Sequence, residues 1–383
     1  MLKHLLSALR LGPSRLIADN PWWLVTLCLA SAAAVGFAIV AGGLVPVKAS
    51  AGHWAITNWF LQLVKTRSVA THAMVIDAPP LEDRGLAVRG ARHYDLGCRP
   101  CHGSGRGDMP RIPQRMLPPP PDLRALVPAR SSEELFYVVK HGLKFTGMPA
   151  WPAQQRDDEV WAVVAFLRRL PQLQPEEYVR MTRSHSLITP DVAALDVAAE
   201  SAPSRPPDIV SENCARCHGA DGEGNAEAVL PRLSGQRREY LSRALRAYAD
   251  GQRHSGIMGP IASSMRSSGW EDAVSYYASL PAAATGGVVL SPSVATRGEE
   301  IATRGIPRRD VPACAECHGP SSAPKNDAYP ILAGQHGDYL AQQLQLLQNR
   351  QRGGSEYVHM MHSFVDRLTS DQIHDVAAYY ASF

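Results

Sequence analysis

The 383-residue chain has little net charge: 39 Lys and Arg face 36 Asp and Glu, leaving a formal +3 at pH 7. That excludes the basic excess expected of a sequence-independent nucleic-acid binder. No segment reads as a kinase, methyl-accepting or DNA-binding module, so a sensor working through such an output is excluded as well. Cysteine is scarce, with seven residues. Nowhere do four Cys or His converge in sequence as a structural zinc site requires. The Cys pairs have Gly- and Ala-rich helical flanks instead of the strand and βαβ context of a dithiol redox motif. Charge is missing altogether from one long stretch, Pro21–Val47.

What cysteine there is follows a pattern. Six of the seven fall in "CRPCHG", "CARCHG" and "CAECHG", which supply Cys98, Cys101 and His102, then Cys214, Cys217 and His218, then Cys314, Cys317 and His318. Cys-x-x-Cys-His is the attachment signature of c-type haem. Two thiols one helical turn apart reach both vinyl groups, and the following imidazole is carried beneath the iron as its proximal ligand. Three such sites predict three covalently bound haem c groups. Cys28 lies in the apolar stretch and reads as an inert packing residue.

The surroundings of the motifs repeat too. "LPRLSGQRREYL" (230–241) parallels "YPILAGQHGDYL" (329–340), and each of these two units closes on a Tyr-Tyr helix. The first unit diverges, with "PPPPDL" (118–123) and a last helix "DDEVWAVVAFLRRLP" (157–171) whose Val160, Val163, Val164 and Leu167 mark a core stripe. All three share Pro-x-Leu: Pro121/Leu123, Pro231/Leu233 and Pro330/Leu332. A proximal imidazole needs an acceptor on its other nitrogen, and the carbonyls of these prolines are the candidates. Thr369 and Gln372 predict a capping box for the final helix.

A second axial ligand is needed for low-spin iron, commonly Met. The residues offer Met148 in "KFTGMPAW", with Met109 and Met116 nearer the first motif; Met258 and Met265 in the second unit; and Met360, Met361, His359 and His362 in "YVHMMHSF". Residues 85–383 resemble tandem class I bacterial cytochromes c. In that family a Met stands seven residues before a Leu that precedes the last helix. Carried to Leu368 and to the corresponding Met265, the resemblance implies Met361 and Met258 as ligands, with Met360 and Met265 in the core. The first unit's "GMPAW" resembles another branch of the class and implies Met148. His359 and His362 match no family pattern and read as surface residues near a haem edge.

The 27 uncharged residues of Pro21–Val47 would span about 40 Å as a helix, enough to cross a bilayer. Lys3, Arg10 and Arg15 before it place the N-terminus in the cytoplasm by the positive-inside rule. A cleaved signal peptide is the alternative, with "ASA" (49–51) as its site, although signal h-regions are shorter. Residues 52–69 then read as an interfacial helix or a docking helix for a membrane partner.

The expected architecture is therefore all-α, with three tandem class I cytochrome c domains after an N-terminal transmembrane helix. Its parts are a cytoplasmic N-terminus (1–20), an anchor (21–47), an interfacial helix and linker (48–80), domain 1 (81–172), a linker (173–204), domain 2 (205–283) and domain 3 (290–383). The expected function is single-electron transfer at a bacterial inner membrane, with the haem domains in the periplasm. Its partners would be a dehydrogenase or quinol-oxidising complex as donor, a terminal oxidase or soluble cytochrome as acceptor, and no nucleic acid. Six haem propionates would turn the formal +3 into about −3, so basic clusters such as "QRRE" serve propionates or a partner. The alternatives are the cytochrome subunit of a quinoprotein or flavoprotein alcohol, aldehyde or sugar dehydrogenase and, more remotely, a haem peroxidase or reductase, which would need an open iron position.

Overall fold

The computed structural model describes residues 22–45, 47–48, 50–104, 108–182, 206–225, 227, 229–265, 269–282, 290–320, 325–354 and 356–383. The expected cytoplasmic stretch 1–20, most of the 173–204 linker and the connection at 283–289 lie outside them. The chain divides into two units, 1–57 and 58–383. Among the described residues the regular elements are helices, with two isolated antiparallel bridges, Asn225–Leu230 and Ile306–Val311. The protein is all-α.

In the N-terminal unit, α1 (Trp22–Ala41) is apolar on every face and buries no residue. Its 20 residues make about 30 Å, the thickness of a bilayer's hydrocarbon core. Cys28 is exposed on this helix, so it does not pack inside the chain. Helix α2 (Ala55–Ala73) begins in this unit and continues into the second. It leaves Trp59, Phe60 and Val64 exposed and buries Val69 and Ala73.

The second unit holds three successive helical segments. The first contains α3 (Arg84–Gly97), α4 (Ser132–His141), α5 (Asp157–Arg169) and α6 (Pro175–Thr182). Asp83 caps α3 through the N–H groups of Gly85 and Leu86, and Ser131 and Glu134 form a full capping box on α4. Acidic residues open α5 and Arg168 and Arg169 close it, matching the helix dipole. Helices α3 and α5 cross at Gly90, where an added Cβ would lie 1.8 Å from the Ala162 carbonyl oxygen. Only glycine lets the backbones come this close. The core here joins Tyr94, Val160, Val163, Val164 and Phe166.

The middle segment starts with a single wide (π) turn, Val210–Cys214, followed by α7 (Arg238–Ala249), α8 (Met258–Ser264) and α9 (Trp270–Ser279). Its core is Val210, Leu241, Val274 and Tyr277. The last segment contains α10 (Pro292–Arg304), α11 (Gly337–Gln348), α12 (Val358–Val365) and α13 (Ser370–Ala381), with Thr369 and Gln372 forming the expected capping box. Helix α10 meets α13 at Gly298, where a Cβ would lie 2.3 Å from the Asp375 carbonyl oxygen. The first and last segments thus use the same glycine device to cross their outer helices.

Polar contacts join the segments. Glu159, 4% exposed, accepts from Ser255 Oγ and the Gly256 N–H at 2.7 Å each and from Trp151 Nε1 at 3.0 Å. Between the middle and last segments two glutamines act reciprocally. Gln335 pairs its amide with both backbone groups of Arg232 (2.9 Å each), and Gln236 does the same with Ile331 (2.8 and 3.0 Å). Arg232 and Ile331 hold equivalent places in the repeat, each following the Pro-x-Leu proline, so the two segments face each other in a pseudo-twofold manner.

Candidate haem sites

Each attachment motif folds as one helical turn: Arg99–His102, Ala215–His218 and Ala315–His318. Each turn ends on glycine with positive φ, 66° at Gly103, 77° at Gly219 and 76° at Gly319. The glycine after every motif is therefore a conformational requirement. It turns the chain away directly after the histidine.

The histidines meet the acceptors expected of them. His102 Nδ1 lies 3.4 Å from the Pro121 carbonyl oxygen, His218 Nδ1 3.1 Å from that of Pro231, and His318 Nδ1 3.0 Å from that of Pro330. Donation from Nδ1–H fixes the tautomer and leaves Nε2 with its lone pair. Burial pushes the pKa of all three imidazoles down, against the opposing pull of the proline carbonyls. The neutral, ligating form is thus favoured. Burial likewise pushes the thiols of Cys98 and Cys214 up to about 12 and that of Cys314 to about 11. Such surroundings suit a neutral thioether.

Sequence reasoning missed a further support of the turns. The buried Tyr94 hydroxyl donates to the Gly103 carbonyl at 2.8 Å, and the buried Tyr277 hydroxyl to the Gly219 carbonyl at 2.8 Å. Tyr94 comes from α3 and Tyr277 from α9, so two different elements serve the same carbonyl. Tyr380, the counterpart of Tyr277 in the repeated Tyr-Tyr pair, has a buried hydroxyl without a partner among the described residues.

The second and third motifs share one cavity of about 370 Å³, within the range of small-molecule sites (~300–1,000 Å³). Its walls include the cysteines and histidines of both motifs, together with Met258, Met265, Met360 and Met361. Met265 is 4% exposed and Met360 half-buried. His362 Nε2 lies 3.0 Å from the Arg352 carbonyl oxygen, and His359 is exposed. The first motif does not line this cavity. Met148 lies on the loop between α4 and α5, where its N–H donates to Thr146 Oγ1 (3.1 Å) and its carbonyl accepts from the Leu143 N–H (3.1 Å). Met116 reaches this loop, since a Cβ on Gly147 would lie 2.0 Å from its methyl carbon.

The shared cavity fits an anionic macrocycle. Arg253 lines it and is 6% exposed, yet the partners found for its guanidinium are neutral: the Tyr240 and Tyr339 hydroxyls (3.4 and 3.1 Å), Gln343 Oε1 (3.0 Å) and the Tyr248 ring (4.6 Å to the centroid). A buried cation needs a counter-charge, and a haem propionate would supply one. Arg352 Nη2 also donates to the Tyr240 hydroxyl (3.3 Å), so equivalent arginines of the two segments converge there.

A helical frame with glycine-closed Cys-x-x-Cys-His turns, imidazoles held on proline carbonyls and a large apolar cavity defines a covalent haem protein of the c type. Residues 207–275 and 295–382 match the family described as cytochrome c, and residues 85–167 match that described as cytochrome C oxidase, cbb3-type, subunit III. The thiosulfate dehydrogenase electron acceptor of Thiomonas intermedia (strain K12) is 33% identical over 177 residues, 46% of this chain and 80% of that protein. Cytochrome c-552 of Acidithiobacillus ferridurans is 32% identical over 201 residues, 51% of this chain and 84% of that protein. The solved cytochrome c4 of Acidithiobacillus ferrooxidans is 31% identical, with 45% of this chain and 99% of that one covered and a TM-score of 0.40. This chain belongs to the multi-domain class I cytochromes c. It is an electron-transfer protein with covalently bound haem c, and it works with redox partner proteins.

Proposed function

We propose that the chain is a membrane-anchored, periplasmic three-haem electron carrier, divided into haem domains at 81–172, 205–283 and 290–383. The observation that carries this reading is the threefold recurrence of one proximal arrangement, each motif histidine set against its own proline carbonyl. The iron ligands in this reading are His102 and Met148, His218 and Met258, and His318 and Met361. Methionines of both segments line the shared cavity, which supports a Met ligand in each; the family spacing selects Met258 over Met265 and Met361 over Met360. His/Met ligation raises the potential of c-type haem, which suits a carrier near the oxidising end of a respiratory chain. The apolar α1 supports a retained anchor at the inner membrane. The match of 85–167 to an oxidase subunit supports a terminal oxidase as acceptor.

A second reading, the electron-accepting subunit of a periplasmic dehydrogenase, is favoured by the likeness to thiosulfate dehydrogenase electron acceptors of two organisms. It shifts the donor from an alcohol, aldehyde or sugar enzyme toward one that oxidises an inorganic sulfur compound. The test common to both is spectroscopic. Pyridine haemochrome gives three haems per chain, and the far-red band of Met–ferric iron is present. Met361→Ala removes one third of that band, whereas Met360→Ala leaves it. High-spin ferric iron in the oxidised wild-type chain would overturn the carrier reading and restore the peroxidase or reductase.

A further inference from the structure

The first and second attachment turns are joined by side chains. Asp95, three residues before Cys98, accepts at Oδ1 from Arg99 Nη1 (3.0 Å), and Arg99 lies between the two cysteines of the first motif. The other oxygen of the same carboxylate lies 3.4 Å from Arg216 Nη1, and Arg216 lies between the two cysteines of the second motif. Tyr178, from α6, donates to Asp95 Oδ1 (3.0 Å) and fixes the carboxylate. Beside it Arg92, 2% exposed, donates from Nη1 to the Cys217 carbonyl oxygen (3.0 Å). The first segment also meets the last through Gln342 and Asp158 (3.0 Å), but neither residue belongs to an attachment turn.

A motif cysteine is a covalent extension of the macrocycle it holds. Residues that tie two such turns together therefore fix how near two haem edges come. The Arg99 and Arg216 side chains are 52% and 41% exposed. Asp95, which they share, is only 9% exposed, so the pairs also contribute to folding, and the melting temperature of each variant, measured beside its kinetics, separates electron flow from folding.

We propose that Asp95, with Arg92, Arg99 and Arg216, forms the internal electron crossing between the first and second haem-bearing turns. The first domain is thereby wired to the second, and reaches the third through it. The inference rests on the reading that each turn carries a haem. One electron leaves a ferrous iron on one side and reduces a ferric iron on the other, with no bond or proton moved. Asp95 and Arg216 act as positioning residues.

The experiment uses the full chain in detergent, partly reduced by a flash of photoreduced flavin and sampled by rapid-freeze EPR. The first-domain ferric signal is identified as the one lost from the Cys98→Ala/Cys101→Ala chain. Arg216→Glu, which sets two carboxylates against each other, slows redistribution from the first haem at least tenfold. Arg216→Lys, which keeps the charge, stays near the wild-type rate. An unchanged rate in Arg216→Glu overturns the proposal, and so does equal slowing in Arg216→Lys. Midpoint potentials measured on the same samples shift by less than about 59 mV, because solvent screens Arg216, 41% exposed, more than a buried cation. A shift of about 59 mV or more, tenfold in the one-electron equilibrium constant, would assign the slowing to driving force and overturn the positional role. Haem content of the wild-type and Arg216 chains separates the two levels of inference: fewer than three haems per wild-type chain refutes the three-haem reading, whereas unchanged kinetics in Arg216→Glu with three haems refutes the crossing.

Discussion

Replacing Tyr277 and Tyr380 separately by Phe asks whether one hydroxyl does work that its counterpart does not. Both residues end a Tyr-Tyr pair on the last helix of their segment, and both are buried, at 2% and 1% exposure. They differ in partner. Tyr277 donates to the Gly219 carbonyl at 2.8 Å, directly after the second attachment turn, while the Tyr380 hydroxyl has no partner among the described residues. Tyr277→Phe removes a hydrogen bond and leaves the Gly219 carbonyl with only the longer one from the Gly222 N–H (3.3 Å), so a cost of about 0.5–1.5 kcal/mol is expected. Tyr380→Phe removes a buried hydroxyl that gains nothing, so it should be neutral or stabilising by up to about 1 kcal/mol. The assay is denaturant unfolding of the haem-loaded chain, with the Soret band reporting loss of haem packing. A multi-domain chain need not unfold in one step, so each variant is compared with wild type in the transition that it moves. Equal destabilisation by both substitutions would refute the reasoning, because it would mean that the Tyr380 hydroxyl has a partner of similar worth.

Gly90→Ala forces a methyl to 1.8 Å from the Ala162 carbonyl oxygen, so α3 and α5 must part; overpacking of this kind costs about 1–3 kcal/mol, read as a lower melting temperature by far-UV circular dichroism. Arg253→Met removes from the walls of the shared cavity a buried cation held by neutral partners, and the potential of at least one haem should fall in spectroelectrochemistry because a positive charge near the macrocycle favours the ferrous state; unchanged potentials would remove Arg253 from the propionate site. Asp158 carries the pH prediction. Burial acts upward on its carboxyl but is outweighed by the hydrogen bond and charge of Arg156 and by Arg89, so its pKa is held below the ordinary carboxylate value. A depressed carboxylate contributes stability that is complete above the unfolded pKa of about 3.9 and is lost as pH falls through the folded value. The wild-type chain should therefore lose stability relative to Asp158→Asn only below about pH 4, as followed by thermal melting from pH 7 to 3.

Much of the site was readable from the sequence because covalent haem attachment requires fixed residues at fixed spacing. The cysteines, the histidines and even the proline acceptors stand at positions the repeat makes visible. Positive φ at Gly103, Gly219 and Gly319 explains why each motif is followed by glycine, a regularity seen in the sequence without its cause. Tyr94 was not readable as a support because its counterpart in the middle segment, Tyr277, comes from the other end of the segment. Glu159 looked like one more acid opening an amphipathic helix, yet it is buried where two segments meet. Its partners Ser255 and Gly256 lie 96 and 97 residues away, beyond any local pattern.

The glutamines show why an interface of this kind both hides in the sequence and leaves a trace there. "LSGQ" and "LAGQ" look like a loop retained by duplication. In the structure each Gln reaches across to the other copy, to the residue that follows the proline whose carbonyl holds that copy's histidine. Because the two segments face each other, one repeated residue type makes both halves of the contact, and a conformational element of one segment becomes a contact of the other. The same opposition merges two haem pockets into one cavity and brings Arg253 and Arg352 to a single tyrosine hydroxyl. It also recasts the crowded "YVHMMHSF". Its methionines face a space shared with the neighbouring segment, and His362 meets the carbonyl of Arg352, one of the two converging arginines. The segment's form is thus set in part by the second copy it faces.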